Sequence, residues 1–337
     1  MDAMLDRLRL NRFVVIGRAG LDLYPEPDGT KIEDATGFRA DLGGSAGNIA
    51  VALARLGADA ALLSPLADDP VGRFTRNTLA RYNVDASLCR AVGGECRNTL
   101  ALAETRAEDC EVVIYRNGAA DFELSENDIS GLDYSTVGAV IATGTSLARE
   151  PSRTSIMTAY RRARKAGAAA VLDLDFRPYS WNSENEAKAV YEEAIGLCDI
   201  VIGNDDEFGL IAGEKANALS CARRLAGTGV SITILKMGAG GSLTLAGGRS
   251  IETGIFPVRP LKPFGAGDAF MGSLMAGLAA GSDVAEAVRQ GSAAAAIVVS
   301  RPGCASAMPV REELNAFMAG QTVAQKTEED PHAHSTV

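Results

Sequence analysis

The chain of 337 residues has only two histidines, His332 and His334, and both stand in its polar C-terminal tail. A Ser-His-Asp or Cys-His nucleophile system would therefore have no histidine in the body of the protein. His-ligated metal sites are excluded there for the same reason. Any acid–base chemistry must depend on carboxylates, lysines or tyrosines.

Paired cysteines and excess positive charge are also lacking. The six cysteines are scattered without a Cys-x-x-Cys pair, which indicates reduced thiols rather than a disulfide framework or a zinc site. The net charge is −10, with 33 Lys and Arg against 43 Asp and Glu. A protein that follows nucleic-acid phosphates needs the opposite balance, so we expect no nucleic-acid partner.

Long hydrophobic runs are missing as well. No apolar run reaches the length of a membrane-spanning helix, and the charged first residues lack the apolar segment of a signal peptide. We therefore expect a cytoplasmic protein with no membrane partner. Aromatic residues make up only 5% of the chain, whereas hydrophobic residues as a whole make up 47%. A core of Ala, Val, Leu and Ile is typical of layered α/β proteins.

Two common nucleotide-binding signatures are absent. The chain has no Gly-x-x-x-x-Gly-Lys-Ser/Thr motif, which excludes a P-loop kinase. Residues 17–20 follow the first predicted strand but lack the central glycine of a dinucleotide-binding turn. A nucleotide site would have to be built in another way.

Short apolar runs alternate with helical segments from residue 12 onward. Residues 12–17 and 169–174, for example, are predicted strands, and residues 153–166 are a predicted helix. This alternation predicts an α/β domain over residues 12–319, with a mostly parallel sheet and helices on both faces. Residues 320–337 are polar and are predicted to be a disordered tail.

The run Gly265-Ala266-Gly267-Asp268, followed by an apolar helix, is the most informative stretch. Small residues let the backbone turn sharply and present consecutive N–H groups at a helix N-terminus, where an anion is favoured. One interpretation of Asp268 is an ordinary helix N-cap. The other is a carboxylate base beside an anion cradle, which together supply two parts of phosphoryl transfer to a hydroxyl.

Three further motifs open helices or follow predicted strands. Residues 43–48 begin an Ala-rich helix, and their glycines permit close approach of a ligand. Asn204 and Glu207 follow a strand, where a carboxylate often reaches Mg²⁺ through water. Residues 236–241 lie between two strands. Ordinary turns, helix caps and a glycine hairpin would explain each motif taken alone.

Two segments, about residues 22–42 and 97–118, interrupt the strand–helix alternation with extended, partly polar sequence. Ordinary surface hairpins would explain them. A small β lid over a substrate would explain them equally well, because phosphoryl transfer requires water to be excluded.

Together and in this order, the motifs resemble those of the ribokinase-like (PfkB) carbohydrate kinase family. The resemblance runs from about residue 12 to residue 309. It implies a three-layer αβα sandwich with a small β lid, and a kinase that uses ATP and Mg²⁺. Lys262 and Pro263 stand where many members have Asp-Thr, so the resemblance does not extend to a monovalent-cation site at these residues.

The resemblance also implies roles for individual residues. Asp268 is the expected base that takes the proton from the acceptor hydroxyl. The backbone N–H groups of Gly265, Ala266 and Gly267 are expected to hold the charge of the transferred phosphate. Glu207 is the expected Mg²⁺ residue, acting through water. The remaining implied residues are Asn204, Lys236, Gly238, Gly241 and Ala295 for ATP, and Asp22, Gly43, Gly44 and Asn48 for sugar hydroxyls.

Two arginines narrow the acceptor. Arg177 follows a predicted strand end, where ligands bind in open α/β sheets, and a guanidinium matches a carboxylate. A surface ion pair would be the ordinary role of Arg177 or of Arg116. Their positions resemble those used by sugar-acid kinases of the family for the substrate carboxylate. The resemblance implies phosphorylation of the 6-hydroxyl of 5-dehydro-2-deoxy-D-gluconate, from myo-inositol breakdown, with 2-dehydro-3-deoxygluconate as the alternative acceptor.

Other interpretations remain. Another PfkB sugar kinase would share the motifs, whereas Arg116 and Arg177 disfavour a nucleoside kinase because their charges would be unpaired in a nucleoside pocket. A nucleotide- or sugar-sensing protein without turnover would not need Asp268. A homodimer through the lid is a further hypothesis, because an exposed lid hairpin often buries its outer face against a partner.

Overall fold

Strands and helices alternate along most of the chain in the computed structural model, which describes residues 1–330. His332 and His334 lie outside the described residues. The helices are α1 (Asp2–Leu8), α2 (Ser45–Arg55), α3 (Pro70–Arg81), α4 (Glu126–Ser130), α5 (Ser152–Lys165), α6 (Glu184–Ile195), α7 (Asp205–Ala212), α8 (Ala218–Ala226), α9 (Ala266–Ala279), α10 (Val284–Val299) and α11 (Arg311–Ala319). The strands are β1 (Arg12–Ile16), β2 (Gly20–Pro25), β3 (Phe38–Gly43), β4 (Asp59–Leu63), β5 (Leu66–Ala67), β6 (Ala91–Val92), β7 (Leu100–Ala103), β8 (Val112–Tyr115), β9 (Ala139–Thr143), β10 (Ala169–Asp173), β11 (Ile200–Asn204), β12 (Ile232–Lys236), β13 (Ser242–Ala246), β14 (Arg249–Thr253) and β15 (Gln325–Glu329).

The central sheet has the strand order β15-β14-β13-β12-β11-β10-β9-β1-β4. Strands β4, β1, β9, β10, β11 and β12 run parallel, and β13 to β15 are antiparallel. The parallel strands read as continuous apolar runs because helices cover both of their faces. The predicted α/β class and the mostly parallel sheet are confirmed.

Alternate side chains of each strand enter two separate cores. Val15 of β1 packs in the layer that holds Ile49 of α2, whereas Val14 packs in the layer that holds Ile156 of α5. This alternation follows from the two-residue period of a strand. The result is the predicted three-layer αβα sandwich.

A glycine sets the distance between two helices of the first layer. A Cβ added to Gly272 of α9 would lie 2.4 Å from the Cβ of Ala52 on α2, and 3.1 Å from the carbonyl oxygen of Ile49. The absence of a side chain therefore lets α2 and α9 approach closely. Their N-terminal ends carry the motifs at residues 43–48 and 265–268.

The two irregular segments form a second sheet, with the strand order β3-β2-β7-β8. β2 pairs antiparallel with β3 and parallel with β7, and β7 pairs antiparallel with β8. Both segments thus belong to one four-stranded sheet, which agrees with the lid rather than with separate surface hairpins.

The ends of the described chain differ from the predicted boundaries. α1 precedes residue 12, and its Leu8 is fully buried. β15 lies in the predicted tail and pairs antiparallel with β14, while residues 331–337 lie outside the described residues. All five residues of β15 are exposed, so no hydrophobic pattern marks this edge strand in the sequence. No helix within residues 1–330 has the length and apolarity to cross a membrane.

Candidate active site

A cavity of about 1010 Å³ lies between the carboxyl ends of the central strands and the lid. Asp173, Asn204 and Lys236, which end β10, β11 and β12, line one side of it. Ala101 and Ile114 of the lid sheet line the other side. The predicted site residues that also line the cavity are Asp22, Gly44, Asn48, Arg177, Glu207, Gly238, Gly241, Gly265, Ala266, Gly267, Asp268 and Ala295.

The predicted anion cradle lies at the N-terminus of α9. Gly265 is the N-cap residue with φ +83°, in the left-handed region that favours glycine. A Cβ there would also lie 3.0 Å from the Cys304 Sγ atom. Within residues 1–330, no N–H of residues 265–268 donates a backbone hydrogen bond. These free donors face the cavity, where the helix dipole adds to their attraction for an anion.

Asp268 lies in the first turn of α9, beside the cradle. Its Oδ2 atom accepts a hydrogen bond of 2.8 Å from the Asn48 Nδ2 atom of α2. Burial raises the pKa of Asp268 to about 7, and the neighbouring charges of Asp175 and Asp173 act in the same direction. The hydrogen bond from Asn48 opposes this shift because it stabilises the ionised form. A carboxyl group of this kind exchanges a proton near neutral pH, as a general base must.

Lys236 brings positive charge to the same place. A Cβ added to Gly267 would lie 3.1 Å from the Lys236 Nζ atom, so the ammonium stands at the cradle. Nζ lies 3.8 Å from the Asp173 Oδ1 atom. Burial lowers the pKa of Lys236, but the charges of Asp173 and Glu207 outweigh burial and raise it above its ordinary value. The ammonium therefore stays charged and faces the anion site.

Glu207 is buried in the first turn of α7. Its Oε2 atom accepts a hydrogen bond of 2.7 Å from the Asn204 N–H, and its Oε1 atom accepts one of 3.0 Å from the Phe176 N–H. The Asn204 side chain in turn accepts from the Glu207 N–H, which completes a capping box. Burial raises the pKa of Glu207 to about 7, against the charge of Lys236. The ordinary interpretation of this motif as a helix cap is thus correct, and the Glu207 side chain also lines the cavity. Its role toward Mg²⁺ stays a prediction.

Asp175 is a cavity-lining carboxylate that several elements hold in place. It has a φ of 33° and is buried. Its carboxylate accepts hydrogen bonds from Ser45 (2.7 Å) and Thr145 (3.0 Å), and its Oδ1 atom lies 3.0 Å from the Arg177 Nη2 atom. Burial raises the pKa of Asp175, but the charges of Arg177 and Arg18 and these hydroxyls outweigh it and hold the pKa below its ordinary value. Asp175 is therefore a fixed negative charge.

Arg116 is not among the residues that line the cavity. Its Nη1 atom donates to the Thr145 carbonyl oxygen (2.9 Å), and its Nη2 atom pairs with Asp121. The guanidinium also lies 4.0 Å from the centre of the Phe122 ring. The structure thus commits this arginine to protein partners at the base of the lid, and its proposed contact with a carboxylate stays a prediction.

Gly43 affects the cavity only through Asp22. It does not line the cavity, but a Cβ there would lie 1.8 Å from the Asp22 Oδ1 atom. Gly43 thus leaves the space that the Asp22 carboxylate occupies. Asp22 also accepts a hydrogen bond of 3.1 Å from the Tyr24 hydroxyl, and burial raises its pKa to about 6.

Lys262 lies directly before the cradle and is fully buried. Its Nζ atom donates a hydrogen bond of 2.7 Å to the Phe264 carbonyl oxygen and lies 5.1 Å from the Phe264 ring centre. Burial lowers the pKa of Lys262. Lys262 stands where the sequence departs from the family motif. Its side-chain amine thus lies against the loop that leads to the cradle.

Gly241 and Ala295, both predicted to contact ATP, line the cavity. Gly241 has φ +84°, and a Cβ there would lie 2.1 Å from the Thr253 carbonyl oxygen, so a larger residue does not fit. Ala295 of α10 faces the same space with Ile255 and Val258. An apolar slot next to a glycine turn suits a flat heteroaromatic ring.

Sequence reasoning missed several cavity residues. Arg18, Ser45 and Asp175 line the cavity, and Asp173 ends β10 beside Lys236. A signal was present for Asp173 and Asp175, because they stand at the carboxyl end of a predicted strand, where ligands bind. Ser45 stands in the motif at residues 43–48, but its partner could not be predicted, because the contact with Asp175 joins positions 130 residues apart.

Comparisons with known proteins identify the family of this chain. A model described as pfkB family carbohydrate kinase matches residues 10–311. The chain is 37% identical over 310 residues to a 5-dehydro-2-deoxygluconokinase from Photobacterium profundum, covering 90% of this chain and 94% of that protein.

Two solved structures share the fold. Aminoimidazole riboside kinase from Salmonella enterica, complexed with aminoimidazole riboside and an ATP analog, is 25% identical with a TM-score of 0.77, covering 91% of this chain and 99% of that one. A fructokinase double mutant from Vibrio cholerae, with fructose, ADP and potassium ion bound, is also 25% identical with a TM-score of 0.80, covering 91% and 98%. Since the family model spans most of the chain and the Photobacterium relative exceeds 30% identity, the chain belongs to the PfkB family of carbohydrate kinases and is a sugar kinase.

Proposed function

We propose that this sugar kinase transfers the γ-phosphate of ATP to the 6-hydroxyl of 5-dehydro-2-deoxy-D-gluconate. The observation that carries the reaction type is the buried Asp268 carboxylate beside the free N–H groups of the α9 N-terminus. Arginines at the acceptor end of the cavity and the similarity to a 5-dehydro-2-deoxygluconokinase support the acceptor.

In the proposed mechanism, Asp268 takes the proton from the acceptor hydroxyl as its oxygen forms a bond to the γ-phosphorus. The bond between that phosphorus and the β–γ bridging oxygen breaks, and ADP leaves. The N–H groups of Gly265, Ala266 and Gly267 and the Lys236 ammonium stabilise the charge of the transferred group. The closed lid excludes water, which would otherwise accept the phosphate.

ATP and a divalent metal are the family's phosphoryl-donor pair, and a bound Mg²⁺ would neutralise phosphate charge. Among residues 1–330, no group of three or more His, Cys, Asp or Glu side chains is placed to hold a metal ion by itself. Glu207 and Asp173 nevertheless face the cavity beside Asn204. This donor set fits an ion held mainly by the phosphates, with Glu207 reaching it through water.

The acceptor would lie between the base and the lid. Asp22, Asn48 and the backbone of Gly44 are proposed to hold its hydroxyls, while Asn204, Lys236, Gly238, Gly241 and Ala295 are proposed to hold ATP. Lys262 places an amine before the cradle, where a separate monovalent cation would compete with it. We therefore propose that turnover does not need added potassium, although the fructokinase structure has a potassium ion bound.

A panel of acceptors tests the function. ADP release is measured with 5-dehydro-2-deoxygluconate, 2-dehydro-3-deoxygluconate, fructose, ribose and a nucleoside, with and without Mg²⁺. The proposal requires the highest kcat/KM with 5-dehydro-2-deoxygluconate, and phosphate on its 6-position by NMR. Higher kcat/KM with 2-dehydro-3-deoxygluconate would favour the alternative acceptor, and no turnover with any of them would favour a sensing protein.

The pH profile should follow Asp268. Because burial raises the pKa of Asp268 to about 7, the base is increasingly protonated below that pH. We expect kcat/KM to fall about tenfold per pH unit on the acid side and to level off above pH ~8. Glu207 has a pKa of about 7 as well, so the Glu207→Gln variant serves as the control. The acid limb should persist in this variant, and its loss would assign the limb to Glu207.

Replacing Gly43 should disturb the acceptor side selectively. A Cβ in Gly43→Ala would overlap the Asp22 carboxylate, 1.8 Å away, and displace it. We expect the acceptor KM to rise about tenfold or more, with little change in the KM for ATP. Gly37→Ala is the matched control, because nothing lies within 4 Å of a Cβ there. Equal kinetics of both variants would show that the position of Asp22 does not matter.

We also propose a homodimer through the lid. β8 is an edge strand of the lid sheet, and its Val112, Val113 and Tyr115 are exposed. A second lid would cover them. Light scattering of the purified protein tests this state.

A further inference from the structure

Three arginines surround the acceptor end of the fold, and two of them are engaged by the protein. Arg177 pairs with Asp175 at 3.0 Å and donates to the Phe176 carbonyl oxygen at 3.1 Å. Arg116 pairs with Asp121 and donates to Thr145. Each of these two guanidiniums is thus held by one carboxylate and one carbonyl oxygen of the protein.

Arg18 differs from both. It lies in the loop between β1 and β2, lines the cavity and is only 7% exposed. Within residues 1–330, its guanidinium makes no hydrogen bond, no ion pair and no contact over an aromatic ring. Burying a charged group costs free energy unless other groups compensate it, and here the carboxylates of Asp22 and Asp175 do so without a hydrogen bond or an ion pair to Arg18. The N–H groups of the guanidinium thus stay free for a ligand.

The backbone around Arg18 is tightly held, which fixes where the side chain begins. The Arg18 carbonyl oxygen accepts a hydrogen bond of 3.1 Å from the Gly47 N–H of α2. A Cβ on Gly44 would lie 2.5 Å from that same oxygen. The N-terminus of α2 thus lies directly against the Arg18 backbone. The backbone of this loop cannot move away from the cavity without breaking the hydrogen bond to Gly47.

The charge of Arg18 acts on two buried carboxylates that line the same cavity. It lowers the pKa of Asp22 against the larger effect of burial, and it lowers the pKa of Asp175 together with Arg177. The Arg18 backbone borders Gly44 and the Asp22 carboxylate borders Gly43, so both residues lie beside the start of α2. A six-carbon acid whose terminal hydroxyl meets Asp268 and whose other hydroxyls meet Asp22 can extend its carboxylate to Arg18.

We propose that Arg18 binds the carboxylate of the acceptor and is the residue that selects sugar acids over neutral sugars. This inference rests on the proposed function, because it requires an acidic acceptor. The guanidinium is planar and offers two parallel N–H donors to the two carboxylate oxygens. The other N–H groups of Arg18 remain available to Asp22. The acceptor carboxylate can therefore bind Arg18 without displacing Asp22. A neutral sugar would leave the buried guanidinium without its partner, which costs binding.

The test compares Arg18→Gln with the full-length enzyme. We measure kcat/KM for 5-dehydro-2-deoxygluconate and for fructose, a neutral ketose, and the direct binding of the acid by calorimetry without ATP. Arg18→Gln should lower kcat/KM for the acid on the order of 100-fold, mainly through KM, and that for fructose less than threefold. The KM for ATP should not change, and Arg18→Lys should recover part of the loss.

Parallel variants show where the carboxylate is held. Arg149→Gln is the matched control, because Arg149 is exposed and contacts Asn182 outside the cavity. Arg177→Gln and Arg116→Gln are measured in the same way. If the preference for the acid survives in Arg18→Gln, or disappears in Arg177→Gln or Arg116→Gln instead, the inference is wrong.

The outcome with the unmodified enzyme separates the two proposals. An enzyme that phosphorylates fructose better than any acid would overturn both the proposed function and the role of Arg18. An enzyme that prefers the acid, with equal losses for acid and fructose in Arg18→Gln, would overturn the role of Arg18 alone. Thermal melting verifies folding, and if Arg18→Gln does not fold, Arg18→Lys decides through the same ratio of acid to fructose.

Discussion

Asp268→Asn should lower kcat on the order of 1,000-fold while ATP still binds. The amide cannot take the proton from the acceptor hydroxyl, but it has nearly the same shape. Its oxygen can still accept the hydrogen bond from Asn48, which is 2.8 Å long in the native protein. Steady-state kinetics and calorimetric titration of ATP measure the two effects separately. Turnover near the native value would show that Asp268 is not the base.

The stability of Asp268→Asn provides an independent control for this result. Because burial raises the folded-state pKa of Asp268 to about 7, above the ordinary value of 3.8, ionisation of Asp268 destabilises the native fold. The cost grows as the pH rises from the unfolded to the folded pKa and is complete above it. The variant should therefore melt a few degrees higher than the native enzyme at pH 8, with the difference shrinking towards pH 4.

Asp283→Asn is a matched substitution outside the cavity. The Asp283 side chain caps α10 by accepting a hydrogen bond of 2.8 Å from the Glu286 N–H. Asparagine is an equally good N-cap residue, so neither kcat nor the melting temperature should change appreciably. An equal loss of activity in both variants would indicate a general effect of losing a carboxylate near a helix N-terminus.

Lys236→Met should lower kcat/KM for ATP on the order of 100-fold or more. The ammonium faces the cradle next to Gly267 and offsets the buried carboxylates of Asp173 and Glu207. Its removal takes away positive charge from the position proposed for the transferred phosphate. It also raises the pKa of Glu207 further, since the charge of Lys236 lowers that pKa in the native enzyme.

The kinetics of two other lysine variants sharpen this prediction. Lys236→Arg keeps the charge and should retain part of the activity, although the larger guanidinium fits the cradle less well. Lys165→Met removes an exposed lysine at the end of α5 and should have native kinetics. If Lys236→Met stayed within threefold of the native kcat/KM, the ammonium would have no part in phosphate binding.

The features that could be predicted from sequence are those with a local pattern. Apolar runs and helical spacing identified the parallel sheet, because each strand is buried on both faces. The cradle at residues 265–268 was predictable because a glycine-rich turn before an apolar helix leaves its N–H groups free. α1 and β15 were missed, since a short helix and an all-polar edge strand lack such a pattern.

The features that could not be predicted depend on contacts between side chains that are far apart in the sequence. The sequence analysis predicted Arg116 and Arg177 for the acceptor carboxylate and did not consider Arg18. Only the folded chain shows that Arg116 is held by Asp121 and Thr145, whereas Arg18 is buried without a hydrogen bond or an ion pair among residues 1–330. The burial of Lys262 could not be predicted from the neighbouring sequence either, because Cys304 and Asp41, which act on its charge, stand in distant parts of the chain.

The hydrogen bond between Asn48 and Asp268 joins positions 220 residues apart. Asn48 leaves the ribosome well before Asp268 and the cradle. A contact of such separation forms only after the chain between its two positions is available to close the intervening loop. A chain that stops before residue 265 therefore lacks the proposed base and its cradle, and it cannot transfer phosphate from ATP by the proposed mechanism. Turnover begins only once residues 265–268 have joined Asn48 in the fold.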